Sequence, residues 1–414
     1  MDGRLMDGRL MDGRPQAARR RPRVKPARLW WLVHQWAGLK LAILLTFVFA
    51  TGTLAVLSHE IDWLLQPGLR VSPATVSDEP QWDLIAAAAA AHPASATIRS
   101  IDAPVASAFA ANVHIIRPDG SQGFLYAHPE TGVIQGVGPW AGAQRILRNM
   151  HRHLNLPLNI GVPLVSVLSV LLLASLVSSL VVYKKWWRGF FKPVRWRDAR
   201  TAWGDIHRLA GLWSLWFVAL IALTGIWYLA ESLGLDAPPA IKASAERAIP
   251  DNEVVARFPA SLEAARAAFP ELAIQRIVFP AKPGQAFRFE GDASAILVRP
   301  RANAVWTDPA TGGVLATSRG EQLSVHQRIS EAADPLHFGT FAGYGSKLPW
   351  FLFGCLLTML CVSGVTIFAL RLALSAREQR KAVRIAWIGM GRWKWLATLL
   401  VGLGLILVYP LIAA

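Results

Sequence analysis

Two long apolar runs, 29–57 and 206–230, carry the same signature. The first contains His34-Gln35-Trp36-Ala37-Gly38-Leu39 and the second His207-Arg208-Leu209-Ala210-Gly211-Leu212. Each continues to a Thr-Gly pair, Thr51-Gly52 and Thr224-Gly225, with the glycine eighteen residues after the histidine. Runs of this length cross the ~30 Å hydrocarbon layer of a bilayer as helices, which satisfy their own backbone polar groups. In a straight helix eighteen residues make about five turns, which places each His and its distant Gly on one face about 27 Å apart. An imidazole at membrane depth costs free energy unless it has a partner. A neighbouring helix can satisfy a single such His; a matched pair points to one shared ligand.

Composition agrees with a membrane chain. Of 414 residues, 53% are hydrophobic and 17% charged, against the quarter charged that is usual in soluble domains. The net charge of +16, from 43 Lys and Arg against 27 Asp and Glu, gathers in short segments beside the apolar runs. That distribution excludes the continuous basic face of a nucleic-acid binder and fits topology signals and contact with anionic membrane lipid. Cys355 and Cys361 share one apolar run, so the chain has neither an extramembrane disulfide nor a thiolate metal cluster. Many of the 18 Trp, such as Trp30-Trp31, Trp186-Trp187, Trp393 and Trp395, stand at run ends as interfacial belts.

In chain order, residues 1–28 are a basic extension opening on a near-exact Met-Asp-Gly-Arg-Leu repeat, expected to be disordered. The first span, 29–57, leads to a mixed segment, 58–150, with a helix expected over 82–91, strands over 112–116 and 123–126, and a turn at His128-Pro129-Glu130-Thr131-Gly132. The second span, 157–183, is followed by the basic connection 184–205, with Lys184, Lys185, Arg188, Lys192, Arg195, Arg197 and Arg200. The third span, 206–230, precedes a second mixed segment, 231–346. There a helix is expected over 261–269, strands over 285–290 and 296–299, and the turn recurs as Asp308-Pro309-Ala310-Thr311-Gly312. The fourth span, 348–370, leads to the basic loop 371–394, which contains Arg371, Arg377, Arg380, Lys381, Arg384, Arg392 and Lys394; a fifth span covers 395–412. The positive-inside rule puts the amino end and the basic loops in the cytoplasm and both mixed segments outside. The fold class expected is a mainly α membrane protein with two small α+β segments.

His34 and His207 enter their spans from the same side and can meet. No Asp, Glu or Cys is placed to complete a tetrahedral zinc site, so two neutral imidazoles in an apolar setting suit the axial positions of a b-type haem better than a hydrolytic metal. Gly38 and Gly211, four residues on, share the ligand's face and let a flat macrocycle approach the backbone. On the outer side the preferred pair is His151 with His337, because His151 leads directly into a span and His337 stands in the apolar Leu336-His337-Phe338-Gly339-Thr340-Phe341. Equal distance from the repeated turns would choose His326 instead, and His153 is another alternative. Gly52 and Gly225 either clear space for a second macrocycle or simply pack helices. His59, with Glu60 and Asp62 where the first span emerges, is an iron-attracting cluster or solvated interface charge; His92, His114 and His128 show no ligand spacing and read as surface.

At these residues the chain resembles the PepSY-associated transmembrane family, which includes ferric-siderophore reductases of the bacterial inner membrane. The resemblance covers about residues 29–370. It rests on His34-x-x-x-Gly38 with Thr51-Gly52, His151-Arg152-x-Leu154, Asp205-x-His207-Arg208-x-x-Gly211-Leu212 with Thr224-Gly225, Leu336-His337-Phe338-Gly339, Ser363-Gly364 and the two Pro-x-Thr-Gly turns. It implies a four-helix haem-binding core holding two haem b groups, with the fifth span added, and PepSY-like segments in the periplasm. It also implies an oxidoreductase that passes electrons across the membrane to a ferric siderophore. The fifth span, His153 beside the expected ligand and Gln35 in place of a commoner Arg depart from the family pattern. With no Gly-x-Gly-x-x-Gly fingerprint in a strand-to-helix setting, the donor expected is quinol or a separate reductase. The alternative function is a non-enzymatic, membrane-anchored module that binds a peptide or protein beside an iron-uptake system.

Overall fold

The computed structural model describes residues 26–72, 79–239, 241, 243–245, 249–282, 284–373 and 381–413. The amino-terminal repeat and the basic residues Arg377 and Arg380 lie outside the described residues.

The first span is two helices, α1 (Pro26–Lys40) and α2 (Ala42–Val56), bent by 68°. At the break, Leu41 has φ −109° and ψ 20°, in the sparsely allowed region between helix and strand, and Lys40 Nζ donates to the Gly389 carbonyl at 2.6 Å. The single straight helix expected from the sequence is therefore corrected: His34 and Gly52 lie on segments of different direction. After α3 (Ser58–Leu65), α4 (Trp82–Ala91) and strands β1 (Thr97–Asp102), β2 (Ala111–Ile116), β3 (Gln122–Ala127) and β4 (Ile134–Pro139), the amphipathic α5 (Ala143–His153) runs into the second span, α6 (Leu158–Ser166) and α7 (Leu168–Val182). The second copy of the signature lies on α8 (Ala199–Trp213) and α9 (Leu215–Ala230). It breaks at Ser214, with φ −91° and ψ 2°, seven residues after its histidine, as Leu41 is seven after His34. The sequence repeat is thus a backbone repeat, break included.

Next come α10 (Asp251–Ala268), β5 (Ala273–Val278), β6 (Phe287–Asp292), β7 (Asn303–Thr307), β8 (Val314–Ser318), α11 (Val325–Phe338), the fourth span α12 (Tyr344–Leu372), α13 (Ala382–Gly389) and α14 (Trp393–Ile406), which begins the fifth span. Spans one and three face each other with spans two and four between them: α1 and α9 pack on α7, α2 and α8 on α12, and α14 lies outside against α2. Small residues set the close crossings, Gly225 against the Ser169 side chain and Gly354 against Thr53.

The two mixed segments share one sheet. Its order is β4-β3-β2-β1-β5-β6-β7-β8, with each half a meander and the halves joined antiparallel at Ile101↔Ile277. One face buries Ile101, Val113, Leu125, Ile277, Phe289 and Val305 under α4 and α10, whose Trp82, Ile85, Phe258 and Leu262 complete the core. The repeated turns close equivalent hairpins: Gly132 and Gly312 adopt φ of 69° and 74°, and their N–H groups donate to His128 and Asp308 carbonyls at 2.9 and 2.8 Å. The expected strand at 296–299 is absent, because Leu297 takes φ 54°, which no strand accommodates. The expected 285–290 strand is β6, shifted two residues on. Single cysteines placed at Ala106 and Ala293 should react with impermeant reagent added outside, and those at Arg195 and Arg384 only after the inner face is opened. Labelling at Ala106 from inside alone would invert the topology.

Candidate functional site

The four histidines chosen from the sequence form two pairs. His34 on α1 and His207 on α8 stand with ring centres 6.3 Å apart, the planes 82° to each other. His151 on α5 and His337 on α11 stand 5.9 Å apart. Two imidazoles on opposite sides of one metal, each bound at about 2.0–2.1 Å through a nitrogen about 1.2 Å from its ring centre, would be spaced by roughly 6.5 Å. The inner pair has that spacing, and the outer pair is closer by about half an ångström.

Hydrogen bonds fix the tautomers. His34 Nδ1 donates to the Ser175 carbonyl at 3.1 Å, and His151 Nδ1 to the Val48 carbonyl at 2.8 Å; a carbonyl can only accept, so these nitrogens carry the proton. His207 Nδ1 meets Ser363 Oγ at 2.8 Å, and His337 Nδ1 meets Thr224 Oγ1 at 2.7 Å. Those hydroxyls already donate to the Leu360 and Leu220 carbonyls, so they too accept from the ring. In the neutral form all four rings keep the Nε2 lone pair free, the arrangement in which a metal-ligating His is held by its other nitrogen.

The inner pair opens on a cavity of about 530 Å³ walled by residues such as Leu39, Leu172, Leu360 and Phe368, within the ~300–1,000 Å³ span of cofactor pockets. Gly38 and Gly211 line it, and a Cβ on Gly38 would meet nothing within 4 Å. Arg208 and Arg371 also line it, and Arg208 Nε is buried without a hydrogen-bond partner, a donor suited to a ligand carboxylate. Spacing, tautomers, volume and cations therefore fit a haem. The outer pair has the tautomers and stands closer than that spacing, and the space beside it, among Phe49, Phe338 and Trp350, is about 40 Å³. A macrocycle enters there only as those rings move.

The outer glycines serve other neighbours. A Cβ on Gly52 would lie 2.5 Å from the His151 ring, and one on Gly225 2.7 Å from the Ser169 side chain. Gly52 thus makes room for the imidazole and Gly225 for helix packing. Each signature copy supplies an inner histidine and, near its Thr-Gly, a seat for an outer one: Val48 and Gly52 for His151, Thr224 for His337.

The outer histidines are set by polar pins. Asp62 caps α5, accepting from the Ala143 and Gln144 N–H groups at 2.6 and 2.9 Å, a cap worth about 1 kcal/mol. At the far end of α5, Leu154 and Asn155 both take positive φ, 53° and 55°, and Asn155 Nδ2 holds the turn by donating to Gly404 of the fifth span at 3.0 Å. α11 starts with a capping box of Ser324 and Gln327 and ends at Gly339, φ 68°. The alternatives are engaged elsewhere: His153 Nδ1 donates to Leu156 at 2.7 Å, and His326 Nε2 to Leu235 at 3.0 Å. Glu60 pairs with Lys347, so with Asp62 in its cap the cluster beside His59 is structural. His92 and His128 accept local backbone N–H groups. His114 is not plain surface: it stacks on Trp140 with ring centres 4.6 Å apart. Among the described residues no group of three or more His, Cys, Asp or Glu is placed to hold a metal ion.

Sequence reasoning missed the second nitrogen's partners, Ser175, Thr224 and Ser363. Two of them were visible as the hydroxyls of the Thr224-Gly225 and Ser363-Gly364 motifs. Residues 31–371 match the model of a protein family described as the PepSY-associated TM region. No curated protein matches the chain.

Proposed function

The chain belongs to the PepSY-associated transmembrane family, and from that premise we propose that it is a haem-containing reductase that carries electrons across a bacterial inner membrane to ferric siderophore in the periplasm. The observation that carries this reading is the pair of imidazole pairs, at 6.3 and 5.9 Å, each ring held through Nδ1. A pair buried for packing alone has no need of near metal-ligand spacing at two levels of one bundle. His34 and His207 would hold the inner haem b, Gly38 and Gly211 would leave it room, and Arg208 and Arg371, which line the same cavity, would supply cations for its carboxylates. His151 and His337 would hold a second haem only as Phe49, Phe338 or Trp350 yields.

A bound haem supplies reversible one-electron transfer, at a potential set by its axial ligands and surroundings. The protein's part is placement. Ser175, Ser363, Thr224 and the Val48 carbonyl orient the rings and raise their basicity as ligands. Mostly apolar walls surround the inner site. Tyr228, whose hydroxyl donates to Asp334 at 2.7 Å and whose ring lies 5.3 Å from that of His337, buttresses the outer ligand. Reduction consumes one electron per ferric ion, drawn from quinol or a separate reductase on the inner side, and the chelate then releases ferrous iron. The deciding test is the absorption spectrum of the purified protein with haem counted per chain; a membrane-anchored peptide-binding module would give no haem bands.

A further inference from the structure

A buried carboxylate stands beside the inner ligand. Asp205 lies on α8 two residues before His207, with 5% of its side chain exposed. Burying an ionised carboxylate is costly unless charge and hydrogen bonds compensate it, and here both do. Oδ2 accepts from the Arg195 backbone N–H and from Arg195 Nε, each at 2.9 Å. Oδ1 accepts from Arg195 Nη2 at 3.1 Å and lies 3.2 Å from Arg208 Nη1. Asp205 and Arg208 are three residues apart and so share a face of the helix. The other terminal nitrogen of Arg208, Nη2, donates to the Lys192 and Pro193 carbonyls at 2.8 and 3.4 Å. A guanidinium held at both terminal nitrogens keeps its plane. Its Nε is left buried without a partner, on a side chain that lines the inner cavity.

The same carboxylate holds the chain between the second and third spans. Residues 184–198 fold back on α8 through the Arg195 and Arg208 bonds and a third, from Trp213 Nε1 to the Phe190 carbonyl at 3.1 Å. The approach is close: a Cβ on Gly189 would lie 2.7 Å from the Leu212 side chain. Trp186, in this connection, forms part of the cavity wall.

We propose that Asp205 is a positioning residue of the inner site, fixing Arg208 as the anchor for a carboxylate of the bound group and, through Arg195, tying the 184–198 connection against the cavity as a cover. A carboxylate suits the arginine donor that the protein leaves unpaired. The site therefore selects a flat ligand bearing an acid at that end over the same ligand with the acid masked. That the ligand is a haem rests on the reductase reading; the selection does not.

The test uses full-length protein in nanodiscs, purified after expression without added haem precursor, with empty nanodiscs as the blank. Two metal-free probes, protoporphyrin and its dimethyl ester, are titrated by fluorescence; they differ at the carboxylates and need no imidazole ligand. The diacid should bind the tighter. Arg208→Gln and Asp205→Asn should each weaken it by roughly 10- to 100-fold, the loss of a charge-assisted contact, with the ester held as before. The double variant should be no worse than Arg208→Gln, because the carboxylate acts through the guanidinium. Arg371, over the Trp31 ring at 4.9 Å, keeps some preference in all three. Arg195→Gln should leave the preference intact and speed release of both probes alike. Equal wild-type affinities for the two probes, or a diacid preference unchanged by Asp205→Asn, would overturn the proposal, as would equal losses for the ester. Iron protoporphyrin bound with no contribution from His34 or His207, beside a diacid preference that follows Asp205 and Arg208, would sink the reductase reading and leave this selection standing.

Discussion

His34→Ala, His207→Ala and the double variant should give one and the same phenotype: loss of one haem per chain and loss of chelate reduction driven from the inner side. The two rings stand 6.3 Å apart on opposite spans, and among the described residues no third His, Cys, Asp or Glu groups with them as a metal site. Removing one axial ligand therefore removes the centre. Loss of even an outer partner of a metal ligand lowers metal affinity by about 10- to 100-fold, and loss of the ligand itself should exceed that. Residues that act as a unit are non-additive, so the double variant should be no worse than either single one. Pyridine haemochromogen content and the reduced absorption bands check this. Full haem in both single variants would return the histidines to a packing role.

Replacing His151 or His337 by Ala should remove the other haem while the inner signals stay. The 5.9 Å spacing and the Nδ1 bonds to Val48 and Thr224 equip this pair as ligands, but the enclosed space of about 40 Å³ means that Phe49, Phe338 or Trp350 must yield as the group enters. Its haem should therefore be the weaker bound, lost first on dilution or transfer to apomyoglobin, and total haem in either variant should fall to about half. His326→Ala, which removes a bond to the Leu235 carbonyl and an edge contact with Trp227, should leave haem content at the wild-type level. Haem loss in His326→Ala with full content in His337→Ala would exchange their roles.

Much of this site was legible because the chemistry is carried by rare residues in a repeated frame. Histidines in apolar runs are few, and their recurrence with Gly38 and Gly211 located the inner pair before any backbone was known. Apolar length and clustered cations likewise gave the spans. The helix breaks at Leu41 and Ser214 were not legible, since neither position holds Pro or Gly and the apolar pattern runs straight across them. Nor was the purpose of Gly52: a small residue in a helix signals a close neighbour, and only the fold shows that this neighbour is the His151 ring. Strands β1 and β5 were missed because each is interrupted by a bulge, between Ile98 and Ser100 and between Ile274 and Arg276, which sets the inward apolar residues Ile98 and Ile101, and Ile274 and Ile277, three apart instead of two. The union of two segments into one sheet depends on Ile101 meeting Ile277, a contact between halves that local pattern does not encode.

The absorption spectrum of the purified protein tests the central claim most directly. With both imidazole pairs acting as axial ligands, the dithionite-reduced protein should give the sharp α and β bands of six-coordinate low-spin haem, with more than one and up to two haem b per chain. Protein that folds, inserts and shows no Soret band after expression with ample haem would contradict it.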